Sequence, residues 1–203
     1  NTKKIIFIFL MSLLIISPYL VRNYFTFNKI TLVKSMGYNL WKGSNSRATV
    51  EGYDYQEDYE FRDNTTHAKI KNLPKNNLYY FHIDDIYFKE ALDDIKDKPD
   101  IFVGRFIKKF LSFFYFNINA NWPNYYHPLF IIPIALVSIF SSIGILISLK
   151  NFNFEKGYLL LYLFLTISIF SCFFILPRYK LMILPIQLIF MNYFLYECYK
   201  RFR

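Results

Sequence analysis

Four long apolar runs most constrain what this chain of 203 residues can fold into. They occupy residues 5–20, 128–149, 158–176 and 181–196. The second run has about 22 residues, and a helix of that length is about 33 Å long, enough to cross the hydrocarbon core of a bilayer. The fourth run is shorter, at about 16 residues, but Lys180 and Lys200 can extend its ends to the two interfaces. The runs predict an α-helical integral membrane protein with four transmembrane helices.

The first apolar run has a competing interpretation, because Lys3 and Lys4 precede it as they would precede the core of a secretory signal. It lacks a small-residue cleavage site, however, and it ends in Pro18 followed by Arg22. We therefore interpret residues 1–21 as a transmembrane helix. The chain begins with Asn1 rather than Met, so we expect it to be a piece of a longer polytopic protein.

Clusters of basic residues set the expected orientation of the four helices. With four crossings, three basic groups fall on one side, which the positive-inside rule makes cytoplasmic. These groups are Lys3 with Lys4, Lys150 with Lys156, and Lys200 with Arg201 and Arg203. Residues 22–127 then lie outside the cytoplasm, and residues 128–203 form a three-helix transmembrane region.

Residues 22–127 have the composition of a small polar segment of mixed α/β structure. The segment contains 15 Lys/Arg and 13 Asp/Glu, a near balance that does not indicate a nucleic-acid partner. Residues 29–33 and 38–41 resemble two short strands around a turn at Gly37, and residues 43–77 resemble a loop. Residues 83–96 resemble a helix with Asp84 as its N-cap, and Pro99 suits the first turn of another.

The helix predicted at residues 101–116 is amphipathic, with aromatic and aliphatic residues on one side. Arg105, Lys108 and Lys109 lie on the other side. A basic, aromatic-rich helix just before a transmembrane span is typical of a helix lying in the bilayer interface. The same pattern would also suit a helix packed under the polar segment.

A cationic hinge at residues 177–185 separates the third and fourth apolar runs. A central Arg or Lys in a bilayer costs about 2.5–3.5 kcal/mol even on the lenient insertion scale, so we expect a turn at the membrane surface. Arg178, Tyr179 and Lys180 would then lie at the headgroup level, on the same side as residues 22–127. From these residues alone, ordinary interfacial anchors explain the pattern at least as well as an anion-binding site.

No self-contained catalytic centre is visible in the sequence. The acidic pairs 84–85 and 93–94 suit solvated helix faces, because neighbours on a helix point about 100° apart. His67, His82 and His127 have no spacing that suits a metal site or a triad, and the two cysteines, Cys172 and Cys198, form no zinc pattern. We therefore expect no catalytic residue, metal ligand or cofactor site within the chain.

Three stretches resemble the motifs of a known family. Residues 18–24 read Pro-Tyr-Leu-Val-Arg-Asn-Tyr, residues 37–49 read Gly-Tyr-Asn-Leu-Trp-Lys-Gly-Ser-Asn-Ser-Arg-Ala-Thr, and residues 178–185 read Arg-Tyr-Lys-Leu-Met-Ile-Leu-Pro. In order and spacing they are similar to motifs in the C-terminal half of bacterial GT-C polyprenyl-phosphate-sugar-dependent glycosyltransferases. That family (family 39) includes protein mannosyltransferase-like and aminoarabinose-transferase-like enzymes.

The resemblance implies a hexosyltransferase that transfers a sugar from a polyprenyl-phosphate carrier to an extracytoplasmic glycan, lipid or protein acceptor. By motif match, Tyr179 lies beside the donor phosphate, with Arg178 and Lys180 as helpers. The other implied substrate-binding positions are Arg22, Asn23, Asn39, Lys42 and Asn45. Asn39 and Trp41 could equally stabilise the small predicted sheet.

The resemblance also implies what this stretch of chain lacks. The acidic general base of the family lies in a first extracytoplasmic loop, which would precede residue 1, so these residues alone should be inactive. Met182 replaces the first proline of the family's hinge, which would make the turn less rigid. No cofactor is implied, although a divalent metal is left open for the full-length enzyme.

The expected setting is the cytoplasmic membrane, with membrane lipid and the lipid-linked donor as partners. The alternative from another class is a non-catalytic polytopic protein, such as a lipid-carrier transporter or an envelope assembly subunit.

Overall fold

The computed structural model describes residues 2–44, 50, 64–114 and 127–203, and all regular secondary structure in these ranges is helical. The α-helices are α1 (Thr2–Phe27), α2 (Met36–Ser44), α3 (Asn64–Lys71), α4 (Tyr79–Asp97), α5 (Pro99–Ser112), α6 (Pro128–Lys150), α7 (Phe154–Cys172) and α8 (Leu184–Phe202). A 3₁₀ helix, Pro177–Met182, lies between α7 and α8.

Three helices are long and apolar enough to cross a membrane: α1 from Lys3 onwards, α6 and α7. None of the residues in the apolar window of α1 is buried against the rest of the described chain, so its side chains are available to lipid. This agrees with the predicted helical membrane protein. The fourth predicted span corresponds to α8, whose last turns carry Glu197, Lys200 and Arg201, and it stays a prediction.

Two of the helix boundaries that differ from the predicted ones have local causes. α1 continues through Pro18 to Phe27 and ends at Asn28, whose φ of 53° is in the left-handed region. Asn tolerates that conformation better than most residues. α7 begins four residues earlier than predicted, because the side chain of Asn153 accepts a 2.9 Å hydrogen bond from the N–H of Lys156 and caps the helix.

The predicted strands are wrong. Residues 38–41 lie inside α2, and residues 29–33 have no regular secondary structure. Alternation of apolar and polar residues over four positions does not separate a strand from one turn of a buried helix. Packing decided the outcome, because Leu40 and Trp41 of α2 are buried against Tyr87 and Ala91 of α4. Much of the predicted loop at residues 43–77 lies outside the described residues, although residues 64–71 form α3.

The membrane-type helices share one apolar core. Side chains from α6, α7 and α8 meet there with Ile175 and Ile183 from either side of the 3₁₀ helix. α6 and α8 approach closely because Gly144 faces the backbone of Phe190, leaving no room for a side chain. Three serines of α6 are buried on the same helix, at positions 138, 141 and 148. Small residues of this kind let transmembrane helices come close together.

α5 joins the polar segment to this core. The ring of Phe110 stacks on that of Phe164 in α7, with centroids 6.0 Å apart, and the buried Phe113 belongs to the same core. The side-chain amide of Gln187 in α8 donates to the carbonyl of Phe113 over 3.3 Å. The polar segment therefore lies against the end of α7 and the start of α8, next to the hinge.

Candidate functional site

The candidate site is built around α2, the helix that contains most of the second family-like stretch. The N–H groups of Gly37 and Tyr38 donate to the two carboxylate oxygens of Asp84 in α4, over 3.0 and 2.8 Å. The first N–H groups of a helix have no partner within it, and a carboxylate there complements the positive end of the helix dipole. A Cβ at position 37 would overlap the carbonyl oxygen of Asp84, so only glycine permits this approach.

This arrangement corrects two expectations for Asp84. It does not cap its own helix, because α4 already begins at Tyr79. It also does not lie on a solvated face, since its carboxylate is held between the two helices. Its neighbour Asp85 does fit that expectation: it is exposed and forms a 2.9 Å ion pair with Lys29.

Two cations of α5 hold the other end of α2. The ammonium of Lys109 donates to the carbonyl of Gly43 over 2.6 Å and to the carbonyl of Phe173, just past the end of α7, over 2.8 Å. The guanidinium of Arg105 donates to the carbonyl of Ser44 over 3.2 Å. The last carbonyls of a helix lack partners within it, and cations stabilise the negative end of its dipole.

Lys109 is unusual because a lysine side chain is rarely buried completely, yet this one is 2% exposed. The pKa of Lys109 is lowered to about 7, chiefly because burial removes the hydration of the ammonium and secondly because the Arg105 cation repels it. Burial also lowers the pKa of Arg105. Both described acceptors of its ammonium are neutral carbonyls, so no carboxylate offsets this lowering of the pKa.

α2 lies directly on the backbone that leaves α7. A Cβ at Gly43 would overlap the backbone of Phe173 and Phe174. The N–H of Phe174 donates to the carbonyl of Asn39 over 3.1 Å. The ammonium of Lys42 lies 4.7 Å from the centroid of the Phe174 ring, within cation–π distance. Two stretches that are far apart in sequence are thus joined along their backbones.

The hinge begins a few residues further on, in the 3₁₀ helix Pro177–Met182. The ring of Tyr179 packs on that of Phe170 in α7, with centroids 5.4 Å apart, and the guanidinium carbon of Arg178 lies 5.8 Å from the Tyr179 ring. Arg178 is exposed and forms no ion pair with any described carboxylate. The hinge therefore presents an exposed guanidinium beside a phenol.

The sequence-predicted residues fall into two groups. Asn39 and Lys42 lie on α2, next to the chain that enters the hinge with Arg178, Tyr179 and Lys180. Arg22 and Asn23 lie instead in α1, where Arg22 is exposed and Asn23 is buried. Asn23 donates to the carbonyl of Thr31 over 2.7 Å, so it holds the irregular segment after α1. Asn45 lies outside the described residues.

Sequence reasoning missed Asp84, Arg105 and Lys109 as parts of the site. The sequence placed Arg105, Lys108 and Lys109 together, opposite the apolar side of this helix. In the structure Arg105 and Lys109 point inwards and Lys108 is exposed, whereas Val103, Ile107 and Leu111 are about half exposed in a stripe along the helix. The exposed apolar stripe suits a helix in the bilayer interface, and the inner face packs on the protein.

Within the described ranges, no three His, Cys, Asp or Glu side chains are grouped so as to hold a metal ion. The groups near the hinge are instead those that hold anions: Arg178, Lys180, the phenol of Tyr179 and the ammonium of Lys42. No family model, curated protein or solved structure matches this chain.

Proposed function

We propose that the chain is the C-terminal portion of a membrane glycosyltransferase that moves a sugar from a polyprenyl-phosphate carrier to an extracytoplasmic acceptor. One observation carries the proposal: the α2 stretch and the entrance to the hinge are in backbone contact through Asn39 and Phe174. The α2 stretch is one of the three on which the family resemblance rests, and the contact lies four residues before another, residues 178–185. A donor-phosphate site built from both would need them close together, and this contact holds α2 next to the chain that enters the hinge.

The proposed membrane arrangement has four spans, α1, α6, α7 and α8, in the cytoplasmic membrane. The polar segment and the hinge would both face the extracytoplasmic side. Three basic clusters on the opposite side support this orientation. The close packing of α8 against α6, with Gly144 at the contact, supports α8 as the fourth span.

In this proposal the hinge binds the phosphate of the lipid carrier. Arg178 would donate charge-assisted hydrogen bonds to phosphate oxygens, and the Tyr179 hydroxyl would donate another. These contacts would stabilise the negative charge that develops on the departing lipid phosphate as the glycosidic bond breaks. Lys180 and Lys42 would add positive charge on either side. The acidic base would come from a loop outside residues 1–203.

The leaving group itself, polyprenyl phosphate, provides the test because it does not require knowledge of the sugar. In the full-length protein, Arg178→Ala combined with Tyr179→Phe should weaken polyprenyl-phosphate binding by at least about tenfold, since each lost charge-assisted hydrogen bond is worth about 1.5–3 kcal/mol. Arg203→Ala is the matched control, because it removes an exposed cation at the other end of α8.

Unchanged binding in the double variant, with normal expression, would refute the donor-phosphate role. Binding that depends on Arg178, in a full-length protein that transfers no sugar from any lipid-phosphate donor, would instead identify a non-catalytic lipid-carrier protein.

A further inference from the structure

Two helix ends are tied to one side chain of a third helix, and that side chain cannot reach a ligand. Lys109 is buried in α5, and its ammonium bonds to carbonyls at the end of α2 and just beyond the end of α7. Arg105, one turn earlier, bonds to the next carbonyl of α2. The contact therefore joins three helices that belong to different parts of the chain.

The carbonyl of Phe173 is the point at which α7 gives way to the hinge. From Phe173 the chain runs through Phe174, which bonds to Asn39, and through the buried Ile175 into the 3₁₀ helix. Arg178 lies only five residues beyond the carbonyl that Lys109 holds. A shift of the chain at Phe173 would therefore move Arg178 and Tyr179 relative to α2.

Other contacts share this junction with Lys109. The Gly43 backbone touches residues 173 and 174 without any side chain between them, and the side chain of Phe173 packs against the cluster that contains Leu40 and Trp41 of α2. A backbone hydrogen bond from Phe174 to Asn39 and the ammonium of Lys42 over the Phe174 ring also hold the chain. Buried hydrogen bonds from a cation are about twice as strong as neutral ones, so Lys109 is the stronger of the two hydrogen-bonded ties.

We propose that Lys109 is a positioning residue, which fixes the entrance of the cationic hinge against α2 and thereby sets how tightly the site holds a lipid-borne phosphate. The part concerning phosphate rests on the function proposed above, whereas the part concerning the junction does not. Lys109 makes no contact with ligand in this role, because its ammonium is closed off by the two carbonyls.

Amide hydrogen exchange in the full-length protein, in lipid nanodiscs, tests the junction directly. Lys109→Met keeps most of the length of the side chain and removes its donors. It should accelerate exchange in peptides that cover residues 173–182 and 37–44 by at least about tenfold, while peptides from α6 exchange as in the unchanged protein. Lys108→Met is the matched control, because it removes an adjacent, exposed ammonium from the same helix.

A second variant reaches the same junction without touching the lysine. Gly43→Ala places a methyl group against the backbone of residues 173 and 174 and should produce the same local increase in exchange. Gly104→Ala is its control, because a Cβ there meets nothing within 4 Å. If Lys109→Met does not fold, Gly43→Ala decides the question.

Binding of polyprenyl phosphate tests the second half of the proposal. Lys109→Met and Gly43→Ala should each raise its Kd by at least about tenfold, with no change for the two controls. Exchange at residues 173–182 equal to that of the controls would overturn the junction. Faster exchange with an unchanged Kd would overturn the link to phosphate. If Arg178 proves irrelevant to phosphate binding, the proposed function fails, and the exchange result still decides the junction.

Discussion

Charged side chains stabilise both ends of α2. A nine-residue helix is too short to be stable alone, so it depends on tertiary contacts and on groups that satisfy its terminal N–H and C=O groups. Asp84 supplies these contacts at one end, and Lys109 with Arg105 supplies them at the other. The signs of the three charges match the helix dipole.

Replacement of Asp84 by Ala should lower the free energy of unfolding by about 1–2 kcal/mol, the usual range for loss of a helix cap. Asp85→Ala is the matched control. It removes a neighbouring carboxylate whose only described ion pair is exposed, and should cost at most about 1 kcal/mol. Thermal unfolding in detergent, followed by tryptophan fluorescence, compares the two, since Trp41 packs on Tyr87. Equal losses for both variants would contradict the capping role.

At the residue scale the sequence named candidate residues but not their contacts. Arg178, Tyr179, Asn39 and Lys42 came from motif positions, and their role in a site stays a prediction, although α2 contacts the chain just before the hinge. Lys109 could not be found in this way. Its burial depends on carbonyls of α2 and of the chain after α7, which are remote in sequence, and no local pattern records that convergence.

At the scale of helices, small and polar residues of α6, rather than bulky apolar ones, permit the close contact between α6 and α8. Gly144 lies against the carbonyl of Phe190, and serines at 138, 141 and 148 are buried on the same helix. Close backbone approach provides van der Waals contact that lipid cannot supply equally well. This contact secures a helix whose apolar run, residues 181–196, is shorter than the runs of its neighbours α6 and α7.

Gly144→Ala should therefore loosen the pair. The methyl group would overlap backbone that cannot rotate away, and overpacking of this kind costs about 1–3 kcal/mol. Alanine gains about 1 kcal/mol over glycine in helix propensity, so the net loss is smaller than the packing cost. Gly104→Ala, in open space on α5, should keep only the gain. Unfolding in mixed micelles measures both; a Gly144→Ala protein at least as stable as Gly104→Ala would refute the close contact.

Helices were predictable from the sequence where the period and the length of an apolar run both indicated a helix. α6 was placed within one residue at both ends, and Pro99 begins α5 as expected. α2 was mistaken for a strand because Gly37 suggested a turn before it and Gly43 suggested the start of a loop. In the structure they serve close approach to Asp84 and to residues 173–174 instead. A single sequence does not show whether a glycine serves a turn or a close approach between backbones.

For the whole molecule, the polar segment is seated at one end of the membrane-type helices. α5 shares the apolar core of α6, α7 and α8, and α2 rests on the chain between α7 and the hinge. In the four-span arrangement proposed above, the charge clusters at the opposite ends of these helices would lie in the cytoplasm. The proposal therefore predicts on which side of the membrane each exposed position lies.

Cysteine labelling tests that statement. In a background lacking Cys172 and Cys198, Lys75→Cys and Arg178→Cys should react with a membrane-impermeant maleimide on intact cells. Asn151→Cys and Arg203→Cys should react only after the cells are opened. All four positions are exposed in the described chain, so burial would not hide them. Labelling of positions 75 and 178 from opposite sides would exclude the arrangement.

The two glycines of α2 also fix the distance along the helix between its two close backbone contacts. Each must face a different neighbour, Gly37 towards α4 and Gly43 towards the exit of α7, across a separation of six positions. One inserted or deleted residue between them would rotate the second glycine by about 100° about the helix axis. A side chain would then face the backbone of residues 173 and 174. Related sequences should consequently preserve the length of this interval.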